Sequence, residues 1–441
     1  MSEDQKYPLQ DVERPNLYRD IFPYTRLPRV TFDGQTVPVN RAKEVWITDT
    51  TFRDGQQARP PYSVQQVTDL YTLLHKLDGD SGLIRTCEFF LYSRRDRQAV
   101  DKCRELGFKF PHVTGWIRAV KSDFKIVKDM HLDETGILTS CSDYHIFLKL
   151  KKTRRQALDM YLDIVRAALD TGITPRCHFE DITRANFYGF VVPFAAELMS
   201  LSRQYDRPVK IRLCDTMGFG VPWAEAALPR SVPKLVHGMI HEASVPGAWL
   251  EWHGHNDFHK VVVNPATAWL YGCSACNAAL LGIGERTGNT PTEAMVIEAA
   301  QLNGRHTRGV KYEVVTEIAK YFASEIGYSV PHNYPLVGRD FNVTRAGIHA
   351  DGLTKSEEIY NCFDTQRILN RPVGVAITDK SGAAGIKHWI DARYGTDVAK
   401  DDPKLVHIKE AVDAEYEAGR TSAISEEEMA AWYEQAFGRR G

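Results

Sequence analysis

Eight short runs of apolar and β-branched residues, near 44–50, 83–90, 111–117, 136–141, 173–180, 208–214, 248–255 and 276–282, recur along the chain with helix-spaced segments between them. Val67, Leu70, Tyr71, Leu74 and Leu77 have the three-and-four spacing of a buried helix face, as do Leu158, Tyr161, Ile164, Val165 and Ala168. Short strands alternating with such helices predict an α/β fold with a parallel sheet, because each parallel strand is reached through a crossover. Eight units in about 260 residues have the size and count of a closed (β/α)8 TIM barrel. A doubly wound sheet would want a Gly-x-Gly-x-x-Gly turn after the first strand, and there is none.

The polar residues cluster just after the runs: Thr50-Thr51-Phe52-Arg53-Asp54-Gly55, Ser142-Asp143-Tyr144-His145, Glu180-Asp181, Asp215-Thr216, His253-Gly254-His255-Asn256-Asp257 and Gly284-Glu285-Arg286-Thr287-Gly288-Asn289. In a parallel barrel all these strand ends open on one face, so residues far apart in sequence meet in one pocket. In the seventh strand alternation puts Glu251, His253, His255 and Asp257 on one face. Two imidazoles and a carboxylate suit Zn²⁺, Mn²⁺ or Fe²⁺ and leave positions open for a chelating substrate. Thr290-Pro291-Thr292-Glu293 has the form of a capping box with proline at the first helical position, which places the preceding glycine loop at a helix start where N–H groups can face an anion.

With 441 residues the chain exceeds the usual single-domain size, and three parts are expected: an arm over 1–42, the barrel over 43–304, and a mainly helical domain over 305–441. The arm is rich in proline and aromatics and is expected to lie on the surface or on a partner subunit. The acidic stretch Glu426 to Gln435 reads as a solvated surface helix. A balance of 55 basic and 57 acidic residues gives no field for nucleic acid or an anionic membrane, so small molecules are the expected partners. No transmembrane-length apolar run or signal-peptide pattern occurs, and the eight cysteines lack framework spacing, which together predict a cytoplasmic protein. Cys273 and Cys276 have no second pair to complete a zinc site.

Three of these motifs, Asp49-Thr50-Thr51-Phe52-Arg53-Asp54-Gly55, His-x-His-Asn-Asp and Gly-x-Gly-Glu-Arg-Thr-Gly-Asn, taken in order, resemble the DRE-TIM metallolyase superfamily. Ala346-Gly347-Ile348-His349-Ala350-Asp351-Gly352 is similar to the linker-domain signature of its Claisen-condensing branch, so the likeness spans residues from about 43 to 390. Within the branch the pattern most resembles the Re-specific citrate synthases, then homocitrate synthases, then isopropylmalate and citramalate synthases. The resemblance implies acetyl-CoA and a 2-oxo acid as substrates, a divalent cation (Mn²⁺ first, with Mg²⁺, Co²⁺ or Zn²⁺ as alternatives), and a homodimer in which the linker domain serves the adjacent subunit's site. It implies Asp54, His253 and His255 as metal ligands, Arg53 and Thr216 on the 2-oxo acid, and Glu180 and His349, with Tyr360 nearby, in deprotonating the acetyl-CoA methyl group. His145 is expected in the substrate pocket, and Gly282, Gly284 and Arg286 at the CoA.

The chain departs from the pattern at Gln56, where family members often carry glutamate, and at Ile283, where isopropylmalate synthases tend to have asparagine. It ends soon after Ser381-Gly382, so leucine feedback through a regulatory domain is not expected. A second carboxylate on the acceptor would need a cation in the pocket. Arg176 shares a strand face with His178 and Glu180 and lies where homocitrate synthases meet the distal carboxylate of 2-oxoglutarate, so a 2-oxo dicarboxylate is the expected acceptor.

Overall fold

The computed structural model describes residues 6–438. Eight parallel strands, β1 (Trp46–Asp49), β2 (Ile84–Phe90), β3 (His112–Ile117), β4 (Glu134–Ser140), β5 (Thr174–Glu180), β6 (Lys210–Asp215), β7 (Leu250–Gly254) and β8 (Ala275–Ala278), pair in sequence order, and β8 closes onto β1. The barrel predicted from the eight runs is the barrel observed. Only the last run stops early: the backbone at Leu281 turns left-handed (φ 54°) and the chain leaves the sheet.

The helices begin where the sequence caps them. Ser63 with Gln66, Ser93 with Asp96 and Thr153 with Gln156 form reciprocal capping boxes at the helices after β1, β2 and β4. Both predicted apolar stripes, from Val67 to Leu77 and from Leu158 to Ala168, are buried. The box expected at Thr290–Glu293 does not form. That helix runs Thr292–Asn303 with Pro291 as its cap; the Thr290 hydroxyl donates to the Val261 carbonyl and the Glu293 carboxylate accepts the Leu281 N–H. Both side chains tie the loop down instead.

The arm lies along its own barrel. Ile21 and Phe22 are buried, Phe32 bridges to Ala226, and the Asn40 and Ala42 N–H groups donate to the Leu270 and Trp269 carbonyls. Seven cysteines are buried free thiols, and Cys362 is exposed.

The chain divides after Lys311 into two compact units. The second, from Tyr312, is built of helices around a two-stranded parallel pair, Val343–Thr344 with Gly374–Val375. Its core includes Ala350, Leu353, Ile386, Trp389, Ile408 and Val412. The last helix, Glu426–Phe437, is not merely solvated: Met429 and Tyr433, four apart, are buried, and Tyr433 stacks on Tyr394 at 3.7 Å. Of its acidic residues, Glu426 shares this face and accepts from Trp389 Nε1 at 3.0 Å. Among the described residues no helix is long and apolar enough to cross a membrane.

Candidate active site

At the mouth of the barrel the strand ends bring three donors together. Asp54 opens a short helical turn after β1, His253 lies on β7, and His255 follows directly, bridged to Asn289. One ligand atom of each lies within 4.8 Å of the others, and all three residues are buried. His253 Nε2 is 3.4 Å and His255 Nε2 3.7 Å from Asp54 Oδ2, and the two Nε2 atoms are 3.3 Å apart. Asn277 Oδ1 lies 2.8 Å from His253 Nδ1; with the proton there, the lone pair of Nε2 faces the other two donors. Burial, with His255 adding to it, pushes His253 down to about 3, and burial also lowers His255. Both rings are neutral at ordinary pH, the form that ligates. Burial alone would raise the Asp54 carboxyl, but the Arg53 guanidinium, foremost among its neighbours, brings it below its usual value.

Beneath these donors the barrel is filled by ions. Glu88, in the middle of β2, takes Arg53 Nε at 2.9 Å, Arg212 at 3.0 Å and Arg176 at 2.8 Å, with His178 at 3.5 Å. Burial would raise Glu88, yet this ring of cations holds it well below the carboxylate range. Gly136 on β4 is what lets His178 in, since a Cβ there would meet His178 Nε2 at 2.5 Å. Arg53 therefore stands between two carboxylates, with Asp54 3.7 Å from its other end, over the Trp116 ring.

Arg176 does not offer a free cation to the mouth. It sits near the start of β5, 3% exposed, with Glu88 and Glu134 each at 2.8 Å and Glu251 at 3.5 Å. Alternation places it on the inner face as expected, but two residues per layer put it below Glu180, among the carboxylates of β2, β4 and β7. Its two terminal nitrogens are engaged by Glu134, Glu88 and Thr114, while its Nε has no hydrogen-bond partner, so a substrate carboxylate would have to compete with buried glutamates for it.

Glu180 ends β5 at the mouth. His145 Nδ1 lies 2.9 Å from it, the Ser140 hydroxyl donates to it, and Lys149 is 3.5 Å away. Burial pulls its pKa up, but His145, Ser140 and Lys149 together bring it to about 2. Thr216 follows β6, and its hydroxyl accepts the N–H of Asp181, a residue in the left-handed region (φ 66°). Arg53, Asp54, Glu180, His145, Thr216, His253 and His255 thus all belong to the strand ends of one barrel.

A family model described as HMGL-like matches residues 44–321, from the first strand past the last. The chain belongs to the HMGL-like family. It is 57% identical over 430 residues to a citrate (Re)-synthase of Syntrophus aciditrophicus, covering 97% of this chain and 68% of that one. It is 55% identical over 427 residues to a citrate (Re)-synthase of Clostridium kluyveri, covering 96% and 94%. A hydroxymethylglutaryl-CoA lyase structure from Pseudomonas aeruginosa shares the fold at a TM-score of 0.52 and 16% identity, over 66% of this chain and 95% of that one.

The HMGL-like family implies a divalent metal, and the donor set fits one: two bare imidazole nitrogens 3.3 Å apart, facing a carboxylate, are a cation's surroundings. The glycine loop is more closed than its composition suggested. The N–H groups of Leu281, Gly282, Ile283, Gly288 and Asn289 all donate within the loop or to Glu293. Gly284 is packed against Asn289, and Arg286 is held by Asp257 at 2.9 Å and by the Thr216 carbonyl. The expected anion cradle is thus largely self-satisfied.

His349 and Tyr360 lie in the second unit, beyond the HMGL-like match, with ring centroids 4.3 Å apart. Tyr360 lies over Gly352, where a Cβ would come within 2.5 Å of its ring, and is 50% exposed. Sequence reasoning missed Glu88 and Asn277. A lone carboxylate inside the apolar run Ile84–Phe90 was the available signal for the first, because an unpaired buried charge is untenable. Asn277 gave no signal beyond its place in an apolar strand.

Proposed function

We propose that this chain catalyses the metal-dependent condensation of acetyl-CoA with oxaloacetate and hydrolysis of the thioester, giving citrate and CoA. The observation that carries the reading is the Asp54, His253 and His255 cluster at the mouth of a barrel whose chain is 57% and 55% identical to two citrate (Re)-synthases. Homocitrate synthesis from 2-oxoglutarate is not favoured, since relatives of that identity are citrate synthases.

A divalent cation held by those three residues would supply Lewis-acid polarisation of the acceptor's ketone. Arg53, fixed by Glu88, faces the same donors and would stabilise the oxyanion as the new carbon–carbon bond forms. Thr216 would hold the acceptor's 1-carboxylate. For its second carboxylate the cation with freedom to move is Lys149, half-exposed and only loosely held by Glu180, with His145 beside it. Glu180, ionised and firmly held, orients His145; His349 with Tyr360 would take the methyl proton of acetyl-CoA. The resemblance that assigns His349 this role also supports a homodimer with the second unit acting on the neighbouring subunit's barrel. Mn²⁺ is the cation we favour on the same ground, and the balanced charge and seven buried free thiols support a cytoplasmic setting.

The test is release of free thiol from acetyl-CoA by chelated enzyme supplied with Mn²⁺, Mg²⁺, Co²⁺ or Zn²⁺ in turn. Oxaloacetate, 2-oxoglutarate and 2-oxoisovalerate are compared as acceptors. Turnover with oxaloacetate and a restored metal is expected; turnover with another acceptor alone would overturn the assignment.

A further inference from the structure

The HMGL-like match begins at residue 44, so the arm is an addition to the barrel that family model describes. Its course is specific. It runs over the loops after β4 and β5, and part of it, Asn16 to Arg19, meets the wide π-helical turn Tyr144–Lys149, which carries both His145 and Lys149 to Glu180. Such turns are uncommon and cluster at functional sites, because the widened bore costs hydrogen-bond geometry that something else must stabilise.

Here the arm supplies that support. The Asn16 N–H donates to Asp143 Oδ2 at 2.7 Å, and the Tyr144 hydroxyl donates to the Leu17 carbonyl at 2.7 Å. Asp143 is buried and takes both ends of the equally buried Arg154, at 2.8 and 2.7 Å. Arg154 in turn donates to the Gln10 carbonyl at 2.9 Å, so the arm closes a ring around the start of the turn. The Tyr144 ring carries two guanidiniums: Arg184, at 3.9 Å and tied to Asp181, and Arg19 of the arm, at 5.5 Å. The next residue is His145, whose ring stands 2.9 Å from Glu180 and 3.8 Å from Asp181.

We propose that the N-terminal arm is a working part of the active site, in which Asn16 and Leu17 clamp Asp143 and Tyr144 so that the turn after β4 holds His145 against Glu180. Asn16, Leu17, Asp143 and Tyr144 are positioning residues; none is placed to touch the substrate. The inference rests on the reading of Glu180 and His145 as active-site groups, but the clamp itself is a matter of contacts alone.

Two variants test it: Tyr144→Phe, which removes only the hydroxyl that reaches Leu17, and deletion of residues 1–17. Amide exchange is followed over 144–150 and, as a control, over the metal-ligand strand 250–255. If the clamp holds, exchange over 144–150 rises several-fold in Tyr144→Phe and at least tenfold in the deletion, while 250–255, bound metal and the unfolding midpoint of Tyr144→Phe stay as in the parent. Turnover number then falls in the same order with whichever oxo acid the parent uses, and KM moves less. Unchanged exchange over 144–150 in Tyr144→Phe would overturn the proposal even if the deletion misfolds, and so would faster exchange with undiminished turnover. Should the parent turn over none of the oxo acids, the reaction assignment fails, and exchange still decides the clamp.

Discussion

Asn277 Oδ1 and His253 Nδ1, 2.8 Å apart and wholly inside the barrel, fix which nitrogen of His253 faces Asp54 and His255. The Asn277 amide is itself anchored, donating to the Thr48 carbonyl at 3.3 Å. Without that acceptor the ring is free to take the other tautomer and to rotate. Asn277→Ala is expected to weaken metal binding about 10–100-fold, as loss of an orienting partner typically does. His255→Ala should abolish binding, since it removes a ligand. Chelator competition followed by metal analysis measures both, and an unaltered affinity in Asn277→Ala would remove the residue from the site.

The neutral histidines give the metal-free protein a pH dependence with a definite sign. His253 is lowered from 6.5 to about 3, chiefly by burial, so the unfolded chain binds a proton that the folded protein refuses. For a base depressed in this way stability is complete above pH 6.5 and is lost as pH falls below it. A single such group contributes a slope approaching about 1.4 kcal/mol per pH unit. Urea unfolding of chelated protein between pH 7.5 and 5 should show this decline, and His253→Gln should flatten it. Equal slopes in the two proteins would mean that the ring is protonated in the fold.

Arg176 is expected to matter for stability. Arg176→Leu leaves Glu88, Glu134 and Glu251 buried with one cation fewer, and breaking a buried ion pair from one side costs about 3–5 kcal/mol. Chemical denaturation of the chelated variant checks the figure. Turnover per folded molecule with oxaloacetate and with a monocarboxylate acceptor adds a second reading. Equal losses fit a guanidinium occupied by the barrel; a loss confined to oxaloacetate would show substrate drawing Arg176 away from Glu134 or Glu251.

The barrel was legible because burial on both faces of a parallel strand writes an apolar run, and each helix writes its stripe and cap. The meeting of Asp54, His253 and His255 was legible because they sit at strand ends, which a parallel barrel gathers on one face, and the family resemblance singled these three out as metal donors. The depth of Arg176 was not legible because alternation tells which face a side chain takes and not how far along the strand it lies. Two layers below Glu180 the neighbours are Glu88, Glu134 and Glu251, on three other strands, and no local pattern announces such a cluster. The clamp on Tyr144 was hidden for a similar reason, since Asn16 and Leu17 act through backbone groups that every residue possesses. Met429 and Tyr433 were the opposite case: their four-residue spacing was visible but outweighed by the acidic composition around them.

If His349 serves the neighbouring subunit, two inactive proteins should repair each other. On the proposed roles His349→Ala would lack the proton-transfer group and Asp54→Ala a metal ligand, and a mixed dimer would regain one site with every part. Activity approaching a quarter of the parent is expected after full exchange of equal amounts, by random pairing of one restored site in half of the dimers. Thiol release from acetyl-CoA after mixing, with subunit exchange verified by mass spectrometry of differently tagged chains, makes the measurement. Exchange without recovery would place His349 and Asp54 of one site on the same chain.

The face of oxaloacetate that is attacked gives the last test, because citrate has two carboxymethyl arms that are chemically alike and stereochemically distinct. A cation held by Asp54, His253 and His255 would fix the acceptor in one orientation in the mouth, and the pocket would then leave one face of its ketone open to the acetyl carbon. The relatives in Syntrophus aciditrophicus and Clostridium kluyveri are Re synthases, and Re addition is expected here. Citrate made from labelled acetyl-CoA and unlabelled oxaloacetate is then cleaved by a lyase that releases the pro-S arm as acetate. Re addition puts the label in the other arm, so it should be recovered in oxaloacetate. Label in acetate would show Si addition and require the acceptor to lie the other way up in the mouth; label divided between the two would mean that the pocket does not hold the acceptor in one orientation.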